Sequence, residues 1–170
     1  MKIAVVTISD RASRGEYEDR SGPEIERTLA EALPSAAIAR EIASDDEGAI
    51  RSALDRAVSA GADWIITSGG TGPSPRDRAP EATRSWMDRE LPGIAEALRA
   101  ASLAETPFAV FSRGVAGMRG AVFVVNLPGS PAAARSGALF LAPILEHGAA
   151  MARGSGHDAR GNAAAPGAPS

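Results

Sequence analysis

Two aspartates in polar loops are the residues of this chain best suited to act on an anionic ligand. Asp46 lies in the acidic stretch SDDE, and Asp77 closes the stretch SGGTGPSPRD. Each could simply cap a nearby helix, and Asp77 could pair with Arg76. If both face one pocket, they suit Mg²⁺, which proteins hold through one or two carboxylates together with substrate phosphates and water. Asp46 and Asp77 are therefore candidates for a metal-binding, catalytic pair.

The glycine-rich segment at residues 68–72 is the second candidate. It consists of Ser68, Gly69, Gly70, Thr71 and Gly72. Glycines leave backbone N–H groups unobstructed by a Cβ, and the two hydroxyls add donors, so we predict that the segment cradles a phosphate. The alternative is a tight turn without a ligand.

Two better-known phosphate motifs do not fit this segment. A dinucleotide fingerprint must open directly into a helix, whereas Pro73 and Pro75 intervene here. A Walker-type loop needs a lysine after its last glycine, and the one lysine of the chain is Lys2.

The polar loops need strands and helices to position them. Apolar runs predict strands near residues 2–9, 37–42, 64–67 and 121–125, and a further apolar run covers residues 108–111. Helical spacing follows Ser21, the predicted N-cap of a capping box with Glu24, and it recurs after residues 46, 80, 92 and 131. We predict an α/β protein, a three-layer sandwich around a mainly parallel sheet.

Four loops leave the carboxyl ends of the predicted strands, and ligands bind at that edge of such sheets. They contain SDRASRGEYED, SDDE, SGGTGPSPRD and NLPGSP, and we expect them to meet around one site. In the first loop, Asp10 and Arg11 could form a surface ion pair that contributes little stability. Alternatively, the Arg11 guanidinium could donate two hydrogen bonds to a phosphate.

Composition limits the function classes. With 170 residues we expect one domain, 1–151, followed by a tail, 152–170, that is rich in Gly, Ala and Pro and that we expect to be disordered. The formal charge of −3 argues against nucleic acid as a partner, and the longest late apolar segment is too short and too interrupted to span a membrane. The absence of cysteine fits the cytoplasm, and we expect a soluble cytoplasmic protein.

Four blocks in order, ISDRAS, the Asp46-Glu47 loop, SGGTGPSPRD with APEAT, and NLPGSP, resemble the molybdopterin adenylyltransferase family. These are the MogA/MoaB-type proteins of molybdenum cofactor biosynthesis, related to domains of gephyrin and plant Cnx. The resemblance covers residues 2–150. Two positions depart from the family pattern, Asp45 where proline is common and Ala79 where threonine is usual.

The resemblance implies a molybdopterin-binding fold, a homotrimer, and transfer of AMP from ATP to the phosphate of molybdopterin with Mg²⁺. It also implies that Asp46 and Asp77 are the important family aspartates. The expected partners are molybdopterin and ATP, and the molybdenum-insertion protein is a further candidate. The predicted ligand-binding residues outside the glycine segment are Ser9, Asp10, Arg11, Asn126, Pro128, Gly129, Ser130 and Pro131.

Two alternatives stay open. The chain could be a non-catalytic paralogue that binds molybdopterin or a nucleotide, although retention of Asp46 and Asp77 argues against this. It could also belong to the CinA-like or molybdenum-insertion branches of the fold, which are usually longer.

The late helix carries Leu139, Phe140, Ile144 and Leu145, an apolar surface that suggests contact with a neighbouring subunit.

Overall fold

A six-stranded sheet organises the structure, a computed structural model that describes residues 1–154. The strand order is β2-β1-β3-β6-β5-β4. The first four strands in this order pair in parallel, whereas β5 pairs antiparallel with both β6 and β4. The predicted α/β architecture with a mainly parallel sheet is confirmed.

The predicted strands near residues 2–9, 37–42, 64–67 and 121–125 all form, whereas two short strands, at residues 89–90 and 116–119, were not predicted. The strands are β1 Lys2–Ile8, β2 Ala37–Ala43, β3 Trp64–Ser68, β4 Arg89–Glu90, β5 Ala116–Arg119 and β6 Val122–Leu127. The helices are α1 Asp10–Ser13, α2 Ser21–Ala32, α3 Glu47–Ser59, α4 Ala79–Trp86, α5 Pro92–Leu103 and α6 Pro131–Ala152, with a 3₁₀ helix at Pro107–Phe111.

Helices cover both faces of the sheet, which makes three layers. One core packs α2, α5 and α6 against side chains such as Val5, Ile66 and Val125. The other packs α3 and α4 against Ile65 and Val124, on the opposite face of the same strands. Because β3 and β6 are covered on both faces, their sequences are nearly continuous apolar runs.

The start of α2 differs from the predicted capping box. Ser21 is the first helical residue rather than the N-cap, and its hydroxyl donates to Asp19 Oδ1 at 3.3 Å. The N–H of Gly22 donates to the same oxygen at 3.0 Å. Asp19 therefore satisfies the helix start, because its carboxylate reaches back into the first turn.

The apolar run at 108–111 forms no strand. It lies in the 3₁₀ helix, where Phe108 is 74% exposed and Phe111 is 59% exposed. Its short length and the proline at its start favour a single 3₁₀ turn over a ladder strand.

One face of helix α6 packs against the hydrophobic core. Leu145 is fully buried in the core and Phe140 packs against that core, whereas Leu139 and Ile144 are exposed. Only part of the predicted apolar surface is therefore available to a neighbour.

The described chain ends at residue 154, within the predicted tail of residues 152–170. Ala152 completes α6, and Arg153 Nη1 donates to Asp63 Oδ1 at 2.6 Å. The rest of the predicted tail, from residue 155, lies outside the described residues. Within residues 1–154, no helix combines the length and the hydropathy that a membrane span requires.

Candidate active site at the carboxyl edge of the sheet

A polar cavity of about 280 Å³ opens at the carboxyl ends of β1 and β3. All four predicted loops contribute to its wall, which confirms that they meet at one site. The wall is formed by Thr7, Ile8, Ser9, Ala12, Tyr17, Asp19, Arg20, Ser21, Asp45, Ser68, Gly69, Gly70, Asp77, Gly129 and Pro131.

The glycine segment forms the floor of this cavity and needs its glycines. Gly69 has a φ of +105°, and a Cβ there would stand 2.3 Å from the carbonyl oxygen of Ile8. Gly70 has a φ of +62°, in the left-handed region that side chains disfavour. Backbone this close to β1 leaves no room for any residue but glycine at position 69.

The loop after β6 is fastened to this floor. The N–H of Gly69 donates to Leu127 O at 3.1 Å, and Ser68 Oγ donates to Pro128 O at 2.9 Å. A Cβ on Gly129 would stand 3.1 Å from the Cα of Gly69. The Ser68 hydroxyl, predicted as a ligand donor, therefore already has a protein acceptor.

The acidic loop after β2 brings Asp45 to the cavity. The N–H of Asp10 donates to Asp45 Oδ2 at 2.8 Å, and Asp45 Oδ1 lies beside Gly70. Burial raises the pKa of Asp45, and the nearby carboxylates of Asp10 and Asp77 act in the same direction. A cation bound beside this carboxylate would stabilise its charged form and lower its pKa.

Asp77 lies on the same cavity wall, as predicted. Its Oδ2 accepts the N–H of Ser74 at 2.9 Å, and a Cβ on Gly72 would stand 2.8 Å from that oxygen. The neighbouring Arg76 points elsewhere on the same edge, where its Nη2 donates to Asp10 Oδ2 at 3.4 Å.

Asp46 does not line the polar cavity. It is the N-cap of α3, where its Oδ1 accepts the N–H of Ala49 at 2.9 Å. It borders a separate shallow depression that it shares with Asp45, Glu47 and Arg78. The structure thus brings together Asp45 and Asp77, whereas the sequence predicted Asp46 and Asp77.

Some of the other predicted ligand-binding residues line the polar cavity, and others do not. Ser9 lines the cavity while its Oγ caps α1 by accepting the N–H of Ala12 at 3.2 Å. The Arg11 guanidinium lies over the Tyr17 ring, 5.0 Å from its centroid, rather than in the cavity. Pro131 lines the cavity, and Ser130 caps α6 through Ala133.

Asn126 is buried, and its side chain binds other protein groups. Its Nδ2 donates to Thr67 Oγ1 and Thr83 Oγ1, each at 2.9 Å. Its Oδ1 accepts the N–H of Val115 at 3.2 Å. Asn126 therefore ties β6 to β3 and α4 beneath the site.

A second cavity, of about 250 Å³ and mainly apolar, lies on the other side of the glycine segment. It runs between α5, the 3₁₀ helix and the start of α6, with Phe108 and Phe111 at its rim. Thr71 and Gly72 line it, as do Ser112, Asn126, Pro128 and Ser130. Residues 68–72 therefore separate an acidic cavity from an apolar one.

The sequence interpretation did not single out Asp45, which the structure places on the wall of the polar cavity. Helix α3 begins at Glu47, so the residue directly before it must cap, and the carboxylate one position earlier remains outside the helix. Strict use of the capping rule on SDDE is the signal that could have identified Asp45.

The chemistry that this arrangement allows is the positioning of a phosphorylated ligand. The backbone of Gly69 and Gly70 borders the cavity with no side chain in the way, and the carboxylates of Asp19, Asp45 and Asp77 line the same space. The Asp19 carboxylate already accepts hydrogen bonds from Thr7 Oγ1 and the N–H of Gly22. An adjoining apolar cavity can hold a flat ring system.

Comparison with known proteins places these features in a family. Residues 4–147 match the family described as "Probable molybdopterin binding domain". The "Molybdenum cofactor biosynthesis bifunctional protein" of Synechococcus elongatus is 40% identical over 153 residues, which are 90% of this chain and 48% of that protein. The chain thus spans about half the length of that relative.

Two further relatives match over most of their own length. The "Molybdopterin adenylyltransferase" of Helicobacter pylori is 41% identical over 135 residues, 78% of this chain and 77% of that protein. The crystal structure of the "Molybdopterin biosynthesis enzyme MoaB" of Thermus thermophilus is 42% identical with a TM-score of 0.81, covering 90% of this chain and 96% of that one. The chain therefore belongs to the family described as "Probable molybdopterin binding domain".

Proposed function

We propose that this protein is a molybdopterin adenylyltransferase of molybdenum cofactor biosynthesis, transferring AMP from ATP to the phosphate of molybdopterin with release of pyrophosphate. The observation that carries the proposal is the pair of cavities on either side of residues 68–72, one acidic and one apolar. A reaction between two substrates needs two adjoining sites: the carboxylates of the polar cavity suit a triphosphate that binds together with Mg²⁺, and the apolar cavity has room for the ring system of the second substrate. The names of the relatives support the same reaction.

In this proposal the acidic cavity holds the triphosphate of ATP. The backbone at Gly69 and Gly70 can approach phosphate oxygens, with the N–H of Gly70 as a donor. The molybdopterin phosphate is already a nucleophile, so the protein supplies alignment and charge neutralisation rather than a strong base.

The donor set fits Mg²⁺ bound together with substrate. Within residues 1–154, no three His, Cys, Asp or Glu side chains form a ready-made metal site. Asp45 and Asp77 offer two carboxylates on one wall, and Mg²⁺ is commonly held by one or two carboxylates plus substrate phosphates. When bound there, it would offset the charge on the triphosphate. The sequence-based assignment of Asp46 as a ligand stays a prediction.

The apolar cavity is the proposed pterin site. Its lining is predominantly apolar, with Thr71, Ser112 and Ser130 as polar groups that can fix orientation. It adjoins the glycine segment, so a pterin there would present its phosphate toward Gly70 and Asp77.

We also propose a homotrimer in the cytoplasm that passes its product to a molybdenum-insertion protein. The supporting feature for assembly is the exposed apolar surface of Leu139, Ile144 and Met151 on α6.

The proposal is tested by incubating the purified protein with molybdopterin, ATP and Mg²⁺ and analysing the pterin by mass spectrometry. Adenylated molybdopterin is expected, and omission of Mg²⁺ should abolish it. Binding of both ligands without product would favour the non-catalytic paralogue instead.

A further inference from the structure

Arg113 contacts, at several points, the loop of residues 71–77, which runs from the apolar cavity at Gly72 to the polar cavity at Asp77. Its backbone N–H donates to Thr71 O at 2.9 Å. Its side chain donates from Nε to Gly72 O at 2.8 Å and from Nη2 to Asp77 O at 2.6 Å. One residue therefore fixes both ends of the segment from Thr71 to Asp77.

The same guanidinium also reaches helix α4. Its Nη1 pairs with Glu81 Oε1, and its Nη2 donates to Glu81 Oε2 at 3.4 Å. This pairing holds the pKa of Glu81 below its usual value. Since α4 begins two residues after Asp77, the contact fixes the direction in which the chain leaves the loop.

The geometry requires an arginine. Two loop carbonyls and a carboxylate are bound by one planar group, which presents five donors in fixed directions. A lysine ammonium is a single point of charge on a flexible stem and cannot reach all three positions together.

We propose that Arg113 is a positioning residue for the transfer reaction, holding the loop of residues 71–77 so that Asp77 and the glycine segment keep a fixed separation. This inference rests on the proposed function. The two substrates would meet across this loop, since Gly72 lines the apolar cavity and Asp77 the acidic one. Misplacement of reacting groups by about 1 Å can cost about 10²-fold in rate.

A structural role alone would have a different signature. The Arg113 side chain is 37% exposed and lies outside both hydrophobic cores, so its loss leaves the loop carbonyls accessible to water. The main consequence is then local disorder of residues 70–78 rather than global unfolding.

The test compares Arg113→Lys with Arg119→Lys by hydrogen–deuterium exchange and by steady-state kinetics. Arg119 is a suitable control because it pairs with Asp55 at 3.0 Å and lines neither proposed substrate cavity. In Arg113→Lys, amide exchange should rise at residues 70–78 and not in β1 or β3. The kcat should fall by about 10-fold or more, with both KM values within about 3-fold. Arg119→Lys should match the wild type in both measurements.

Each other outcome has a distinct meaning. Unchanged exchange at residues 70–78 in Arg113→Lys would overturn the inference, whatever the activity. Faster exchange throughout the chain, or normal kcat despite local loosening, would reduce Arg113 to a structural residue. Absence of adenylyl transfer in the wild type would overturn the proposed function, while the exchange data would still decide whether Arg113 orders the loop.

Discussion

Asp10 and Asp45 exchange two hydrogen bonds, each backbone N–H donating to the other's carboxylate. The N–H of Asp10 donates to Asp45 Oδ2 at 2.8 Å, and the N–H of Asp45 donates to Asp10 Oδ1 at 3.0 Å. The pair locks the loop after β1 to the loop after β2. It leaves Asp45 Oδ1 beside Gly70, on the cavity wall that Asp77 shares.

The first prediction concerns the carboxylates of this wall. Asp45→Asn and Asp77→Asn should each lower kcat by about 10² or more, the range found when one key electrostatic group is removed. The reason is the loss of a negative oxygen from the proposed metal and phosphate site. Steady-state turnover at saturating Mg²⁺ measures the effect.

Asp46→Asn distinguishes the assignment from geometry from the one from sequence, and asparagine caps a helix about as well as aspartate. If the metal lies in the polar cavity, which Asp46 does not line, kcat should stay within about 3-fold of the wild type; if Asp46 is a metal ligand, kcat should fall by about 10². If Asp46→Asn is as damaging as Asp77→Asn while Asp45→Asn is active, the assignment from sequence is right and the one from geometry is wrong.

The second prediction follows from the raised pKa of Asp45. A carboxyl whose pKa is higher in the fold than its ordinary 3.8 contributes stability below that value and loses it as pH rises through the folded pKa. Asp45→Asn removes the partly buried charge but keeps an oxygen for the Asp10 N–H. The variant should therefore have a higher Tm than the wild type at pH 7, and the difference should vanish in acid.

Calorimetry across this pH range measures the second prediction. A variant that melts lower than the wild type by the same amount at every pH would show that Asp45 carries no unfavourable charge in the fold.

Much of the fold follows from sequence because its signals are local. Buried parallel strands give continuous apolar runs, and helices such as α6 begin at a Ser-Pro signal. The site is harder to predict. In the acidic run at 45–47, only the first residue of α3 decides which carboxylate caps and which faces the cavity. Arg113 acts on Thr71 and Gly72, about forty positions away in sequence, and no short-range pattern reports that contact.

The third prediction separates backbone strain from steric overlap in the glycine segment. Gly69→Ala places a Cβ 2.3 Å from Ile8 O at a positive φ, whereas Gly15→Ala meets no atom within 4 Å at a φ of +72°. Gly15→Ala should cost about 1 kcal/mol of unfolding free energy, from backbone conformation alone. Gly69→Ala should cost about 3 kcal/mol or more, because the strand carbonyl cannot move aside. Equal costs in denaturant titrations would mean that the loop moves away from β1 freely.

The fourth prediction concerns assembly. Leu139 and Ile144 are exposed on α6 while Leu145 is fully buried, so the outward face of the helix is available to another subunit. Cyclic closure would cover it in each subunit. Light scattering at micromolar concentration should give three times the 17.3 kDa of one chain, and Leu139→Glu should reduce that mass. A stable mass of one chain in ligand-binding protein would contradict the trimer.

Adenylyl transfer is followed most directly through the α-phosphate of ATP. The protein is incubated with molybdopterin, Mg²⁺ and ATP labelled in its α-phosphate, and in parallel with ATP labelled in its γ-phosphate. If AMP is transferred, α-label should appear in the pterin product, γ-label should appear only in pyrophosphate, and Asp77→Asn should suppress both. Label transferred from the γ-phosphate, or no label in the pterin while both substrates bind, would contradict it.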